Sequence, residues 1–288
     1  MTERLWLWGL RVLWASLPWS VGRLLGEALE GSSGPFATTA AAGAWGAWAL
    51  GLTALLTPHT VSLTALRVLA PAVLAAACWA TVAAGPSAGA ALALAFAAVA
   101  TVGAMSPLVG DRFIDATSYG YERRSALRAP AAVLTGALAP TWALTVGGVA
   151  AGPLLWATGH RVLGPLASAA GWLIAAAGIR AMHSLARRWL VFVPAGLVLH
   201  DRTALTSPAL FRRPVVASLG PAPAGSDARD FTAGASGLVF ELRLAEPVAV
   251  TPARSGDPEK VSALLLVPTR PAVVLAEARE RRIATMPP

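Results

Sequence analysis

Three patterns in the sequence carry side chains that could do chemistry. Gly85-Pro86-Ser87-Ala88-Gly89 has the G-x-S-x-G spacing of serine hydrolases. That chemistry needs a strand-to-helix elbow that presents the serine to a histidine base. Here the motif lies between two long apolar stretches, with no histidine or carboxylate on either side, so it reads as a turn between helices. His59, His160, His183 and His200 lie in separate segments, without a second His, Cys or carboxylate at metal-ligand spacing. His200 adjoins Asp201, but successive side chains of a strand point to opposite faces, so the two would not chelate together. Cys78 is the single cysteine, which excludes an intramolecular disulfide; within the apolar run 68–84 it is expected to be a small buried hydrophobe. A reactive thiol needs an accessible, electropositive site. With no Walker loop and no dinucleotide fingerprint either, the expectation is a protein that is not an enzyme and uses no cofactor or metal.

The third pattern is the segment 111–128. It holds both tyrosines, Tyr119 and Tyr121, with Asp111, Asp115 and Glu122 and the arginines Arg112, Arg123, Arg124 and Arg128. Asp111 and Asp115 would share one helix face at their four-residue spacing. The plain reading is a solvated loop whose arginines fix topology. The sharper one is a docking loop, built from Asp111, Asp115, Tyr119, Tyr121, Glu122, Arg123 and Arg124, for the C-terminal domain or a partner.

The elements that would position these residues are mostly membrane-like. Of 288 residues 56% are hydrophobic and 13% charged, about half the charge of an ordinary soluble domain. Residues 36–57 contain no charge, and as a helix they extend about 33 Å, enough to cross a hydrocarbon core of about 30 Å. Further spans are expected at 62–84, 89–108, 130–152 and 166–184, punctuated by Pro58, Gly85-Pro86, Gly110 and Gly152-Pro153. Residues 5–21 form a sixth candidate, in which Arg11 nearly cancels the insertion gain of the leucines and valines; the segment either spans or lies in the interface. Apart from Arg11, the hydrocarbon-level parts of these spans offer no ionisable or amide groups for coupled transport. Helix contacts would then rest on small residues such as Gly148 and Gly152.

The net charge of +8 comes from 22 arginines and one lysine, and the basic residues flank apolar segments. No arginine run is interleaved with aromatics, so the charge points to membrane topology rather than nucleic acid. With six alternating spans and a cytoplasmic C-terminal part, nine arginines face the cytoplasm, and only Arg23 and Arg161 face outward. The expectation is a multi-pass protein of the cell inner (plasma) membrane with both termini cytoplasmic.

From residue 187 the pattern becomes that of a soluble domain. Strands are expected at 190–193, 197–199, 210–219, 238–244, 248–250 and 263–267, with a long loop at 221–237. Pro271 opens a short amphipathic helix ending at Arg282. The domains are therefore 1–186, helical and membrane-embedded, and 187–288, β-rich. The strand order, with Ala263-Leu264-Leu265-Leu266-Val267-Pro268-Thr269-Arg270-Pro271 leading into a closing helix, resembles bacterial pleckstrin-homology-like domains. Six strands are legible where that fold has seven. Lipid-binding members hold headgroups by basic residues around the first hairpin; the hairpin 191–199 has none, so that activity does not carry over.

Thr60-Val61-Ser62-Leu63-Thr64-Ala65-Leu66-Arg67-Val68-Leu69-Ala70-Pro71, Ser118-Tyr119-Gly120 with Glu122-Arg123-Arg124, and Arg188-Trp189-Leu190-Val191-Phe192-Val193-Pro194-Ala195-Gly196-Leu197 resemble a family of multi-pass membrane proteins from high-GC actinobacteria. The family brings no activity to transfer. The expected function is a non-catalytic scaffold, partnered by the lipid bilayer and by a membrane or cytoplasmic protein. The alternative is a transporter or channel component.

Overall fold

The computed structural model describes residues 2–286 and divides the chain into two units. The first comprises residues 1–113 and 140–183; the second comprises 114–139 and 184–288. One passage between them, at 183/184, lies close to the expected boundary at 186/187, and two more lie at 113/114 and 139/140. The stretch 114–139, read from sequence as most of the loop 111–128 followed by the start of the span 130–152, belongs with the C-terminal residues.

The first unit is helical. α1 (Thr2–Leu17) runs through a π-helical turn at Pro18–Gly22 into α2 (Arg23–Ala28), so the segment is longer than the expected 5–21. α3 (Gly34–Leu56), α4 (Thr60–Ala84), α5 (Ala88–Met105) and α6 (Pro107–Asp115) follow, then α7 (Leu138–Ala157) and α8 (Leu163–Leu185). Among the described residues, five helices are long and apolar enough to cross a membrane: Gly34–Leu56, Thr60–Ala84, Ala88–Met105, Val133–Ala157 and Leu163–Leu185. Pro153 was expected to end its helix but lies inside α7. Cys78 was expected to be buried and is exposed: on α4 its neighbours Ala77 and Ala80 take the packed positions, and Cys78 faces away from the other helices.

Missing side chains hold these helices close. A Cβ on Gly148 of α7 would lie 2.5 Å from the Gly171 carbonyl oxygen of α8, and one on Gly152 would lie 2.2 Å from Ser168 Oγ. Such approaches replace the hydrophobic effect as the source of helix association where the solvent is itself apolar. Between α1 and α3 the fit is reciprocal. Trp14 is fully buried against Gly51; its Nε1 donates to the Trp48 carbonyl at 2.9 Å, and Trp48 Nε1 donates to the Trp14 carbonyl at 3.0 Å. Arg11 Nε donates to the Leu55 carbonyl at 3.1 Å. Leu55 lies in the last turn of α3, where carbonyls lack helical partners and a cation complements the helix dipole.

The second unit has two four-stranded sheets. β1 (Arg123–Ala126), β2 (Arg188–Val193), β3 (Gly196–Asp201) and β4 (Ala209–Arg212) form an antiparallel sheet in that order. The other, ordered β5-β7-β8-β6, contains β5 (Val216–Pro221), β6 (Arg229–Asp230), β7 (Phe240–Val250) and β8 (Glu259–Leu266). The expected strand 210–219 is broken by a 3₁₀ turn at Arg213–Val215, because Pro214 cannot donate to a ladder. The two expected strands 238–244 and 248–250 are one strand with a register shift between Arg243 and Val248, where Pro247 interrupts the alternation. Both sheets turn one face to a common core that includes Leu190, Phe192, Leu197, Leu199, Phe211, Phe240, Leu242, Leu264 and Leu266. α9 (Pro271–Glu280) closes that core with Val274 and Ala278.

β1 is the element the C-terminal sequence could not supply. It pairs with β2 in the register Arg123↔Phe192 to Ala126↔Trp189. The residues after it close the gap between the sheets: Leu127 N donates to the Arg188 carbonyl at 2.9 Å, Arg128 N to Val267 at 2.8 Å, and Thr269 N to Ala126 at 2.9 Å. A fragment 187–288 would leave the edge of β2 and the end of β8 unpaired. Circular dichroism is expected to show an unfolded or aggregating fragment, and a cooperative strand-rich melt once residues 114–130 are joined to it through a flexible linker.

Candidate functional site

The docking-loop residues fold as follows. Asp111 and Asp115 do lie on one helix, α6; Asp111 is buried and precedes the division between units, while Asp115 and the other five residues follow it. Asp115 organises the turn. It pairs with Arg123, accepts the Arg124 backbone N–H at 3.0 Å, and accepts Ser118 Oγ at 3.2 Å. Arg124 donates through Nη1 to Thr117 Oγ1 at 2.6 Å and through Nη2 to Glu122 at 3.3 Å. Tyr119 and Tyr121 flank Gly120, whose φ of +57° suits a residue without a side chain. Both rings stand out from the surface, 80% and 83% exposed. Arg281 Nη2 holds the Tyr121 carbonyl at 2.6 Å. The segment is a hydrogen-bonded turn with an exposed tip, leading into a strand.

Sequence reasoning missed the strand faces that β1 joins. On β2, Leu190 and Phe192 point to the core while Trp189, Val191 and Val193 take the other face. On β3, Leu197 and Leu199 point inward, and Val198 and His200 outward. His200 stacks on Trp189 with centroids 4.7 Å apart and planes at 10°, and the Arg124 guanidinium lies 5.6 Å from the Trp189 ring. These side chains, with Glu122, line an open pocket of about 240 Å³.

Inward, in phase with the core leucines, lie two charges. Arg188 and Asp201 are 1% and 0% exposed; Nε donates to Oδ2 at 2.9 Å and Nη2 approaches the same oxygen at 2.7 Å. Arg188 also donates to the carbonyls of Arg128 at 2.5 Å and Thr232 at 3.2 Å. The second Asp201 oxygen accepts from Thr203 N at 2.9 Å and Thr203 Oγ1 at 2.7 Å. His200 and Asp201 thus take opposite faces, as the alternation requires. A period-two reading of 188–192 places an arginine in the core phase, which was the available sign that it needs a buried partner.

The other sequence patterns have structural roles. Ser87 of the G-x-S-x-G motif caps α5, its Oγ accepting Ala90 N at 3.1 Å. His59 Nδ1 accepts Val61 N at 3.2 Å at the start of α4. His183 lies 2.8 Å from Thr64 Oγ1, and His160 lies 3.0 Å from Thr158 Oγ1. Among the described residues no group of three His, Cys, Asp or Glu stands where it could hold a metal ion. Compared with protein-family models, with curated proteins and with solved structures, the chain finds no match.

Two outcomes follow from these contacts. Arg188→Met leaves Asp201 buried without its partner and is expected to cost about 3–5 kcal/mol, whereas the double change Arg188→Met with Asp201→Leu costs less. Denaturant unfolding followed by circular dichroism reads the difference. The pKa of His200 is lowered, first by burial, then by the charges of Arg187 and Arg124, with Asp201 opposing and Arg202 adding. The folded state therefore keeps the imidazole neutral, while the unfolded chain takes up a proton near pH 6.5. Stability from this group is complete above about pH 6.5 and is lost as the pH falls through the lowered value. His200→Phe keeps a ring on Trp189 and is expected to flatten the decline in melting temperature between about pH 7 and 5.5.

Proposed function

We propose that the chain is a multi-pass membrane protein of six spans, with both termini cytoplasmic, that presents its β unit as a non-catalytic docking platform for another protein. The observation that carries this reading is the pairing of β1 with β2. Two paired strands must lie on one side of a membrane, so the chain between them crosses an even number of times. α7 and α8 are the two apolar helices in that interval. Their arginine neighbours, Arg123, Arg124 and Arg128 before and Arg187 and Arg188 after, support a cytoplasmic position for that side.

The sixth span is supported by the length of α1 and α2 together and by the position of Arg11. Its hydrogen bond to the last turn of α3 supports a place near the end of a span, where snorkelling is inexpensive. Leu5, Trp8, Val12 and Trp19 are exposed on this segment, as lipid-facing residues would be. A pleckstrin-homology-like reading of the β unit is supported by seven strands of three residues or more in two antiparallel sheets and one closing helix, with the seventh strand contributed by β1. In that reading the α7–α8 hairpin is inserted between the first two strands of the domain.

Docking is supported by Tyr119 and Tyr121. Exposed aromatics on a turn braced by Asp115 and Arg281 have the rigidity and composition of interface anchors. Reporter fusions after Arg128 and after Pro288 should both report cytoplasm, and a fusion at Arg161 should report the outside. Tyr119→Ser with Tyr121→Ser should reduce recovery of a crosslinked partner at least tenfold while membrane insertion is unchanged. Unaltered recovery would overturn the docking surface, and equal reports at Arg128 and Arg161 would overturn the topology.

A further inference from the structure

The pocket beside Trp189 has more chemistry than a protein surface needs for folding. Two of its lining residues carry nitrogens that are enclosed and have no hydrogen-bond partner, Arg124 Nε and His200 Nε2. Leaving such a group unpaired is costly, and two residues of one pocket that each hold such a nitrogen mark a place where a partner is missing. The surroundings favour a negative acceptor. Arg187, Arg124 and Arg202 all act on His200 as positive charges, and the nearest carboxylate on its own strand, Asp201, is turned inward to Arg188. The number of negative charges is limited by Glu122, which lies on the same pocket and already shares Arg124. A dianion would meet that carboxylate in a space where like charges are poorly screened. The remaining wall is aliphatic, formed by Val191, Val193 and Val198. At about 240 Å³ the space is smaller than a drug-sized site.

We propose that this pocket binds a monocarboxylate carried on a short branched aliphatic body, as a free acid or as the C-terminal end of a peptide. The carboxylate takes the hydrogen bonds of Arg124 and His200, each side chain turning on binding to bring its enclosed nitrogen toward the pocket. The aliphatic body lies on the three valines, and the Trp189 ring holds His200 in place. The inference stands on the pocket alone and is independent of the docking role of the tyrosine turn.

The test uses the full chain in detergent micelles with isotope-labelled histidine. The His200 resonances are assigned by their loss in His200→Phe. Isovalerate and N-acetyl-leucine are titrated, with isovaleramide and inorganic phosphate as comparisons. Saturable movement of the His200 signals with the carboxylates, at least tenfold weaker for isovaleramide and phosphate, is expected. A response to N-acetyl-leucine alone identifies a peptide end as the source; a response to both admits a free acid. Val198→Asp places a like charge on a half-exposed wall position, where folding tolerates it, and Arg124→Lys keeps the charge while removing Nε. Each should weaken binding about tenfold or more, with the Trp189–His200 ring-current shift retained as the sign of an intact face. No movement with either carboxylate, equal movement with the amide, tighter binding of phosphate, or unchanged affinity in a folded Val198→Asp would each overturn the assignment.

Discussion

The buried pair of Arg188 and Asp201 is the interaction on which the β unit depends. Two charges removed from water cost several kcal/mol each, and only close geometry and further hydrogen bonds offset that. Here the geometry draws on four separate stretches of chain. β2 supplies the arginine and β3 the aspartate; carbonyls come from Arg128, just beyond β1, and from Thr232, in the connection after β6. Any register slip between β2 and β3 would separate the charges inside the core. Any withdrawal of β1 would strip a carbonyl from the guanidinium. The pair stabilises little against an apolar alternative, but it makes wrong arrangements expensive, and so it specifies one.

The helical unit is organised by the opposite kind of constraint. Its contacts are made where side chains are lacking: Gly51 under Trp14, Gly148 against Gly171, Gly152 against Ser168, and Gly178 beside Thr145. Polar groups are used sparingly, at helix carbonyls. Trp14 and Trp48 exchange indole N–H bonds, Trp142 donates to the Val68 carbonyl near Pro71, and Thr101 donates to the Ala70 carbonyl. Pro18 removes the amide that would otherwise occupy the Trp14 carbonyl, and the other acceptors lie inside helices, where a carbonyl oxygen has a second lone pair to offer a neighbouring helix.

Much of this was legible in the sequence for physical reasons, and the rest was hidden for equally physical ones. Apolar length located α3, α4, α5, α7 and α8, because a helix that crosses hydrocarbon has a minimum length and a maximum charge. Alternation located β7, and Pro271 with the amphipathic run after it located α9. Four residues of β1 were not legible, since Arg123-Arg124-Ser125-Ala126 has no alternation of apolar and polar residues; the strand exists because β2 offers it an edge. The tyrosines and Asp115 were singled out by type, but the face they adjoin was not, because Trp189 and His200 become neighbours only through cross-strand register. Asp201 was read beside His200 in sequence, whereas its partner lies 13 residues back at Arg188.

The interruption of the β unit by α7 and α8 has a consequence in time. Ala126 leaves the ribosome about sixty residues before β2, roughly 3–12 s at ordinary rates of synthesis. Throughout that interval β1 is an unsatisfied edge and must not pair with anything else; its two arginines at one end suit that task, since charge on an exposed edge discourages foreign strands. Its own partner arrives only after α7 and α8 have been synthesised, which on the proposed topology means after that hairpin has been threaded in and back out again. A hairpin inserted halfway would strand β1 and β2 on opposite sides of the bilayer, with Arg188 lacking its Arg128 carbonyl. On the proposed topology, a mis-threaded chain would be marked by exposed strand rather than by exposed helix.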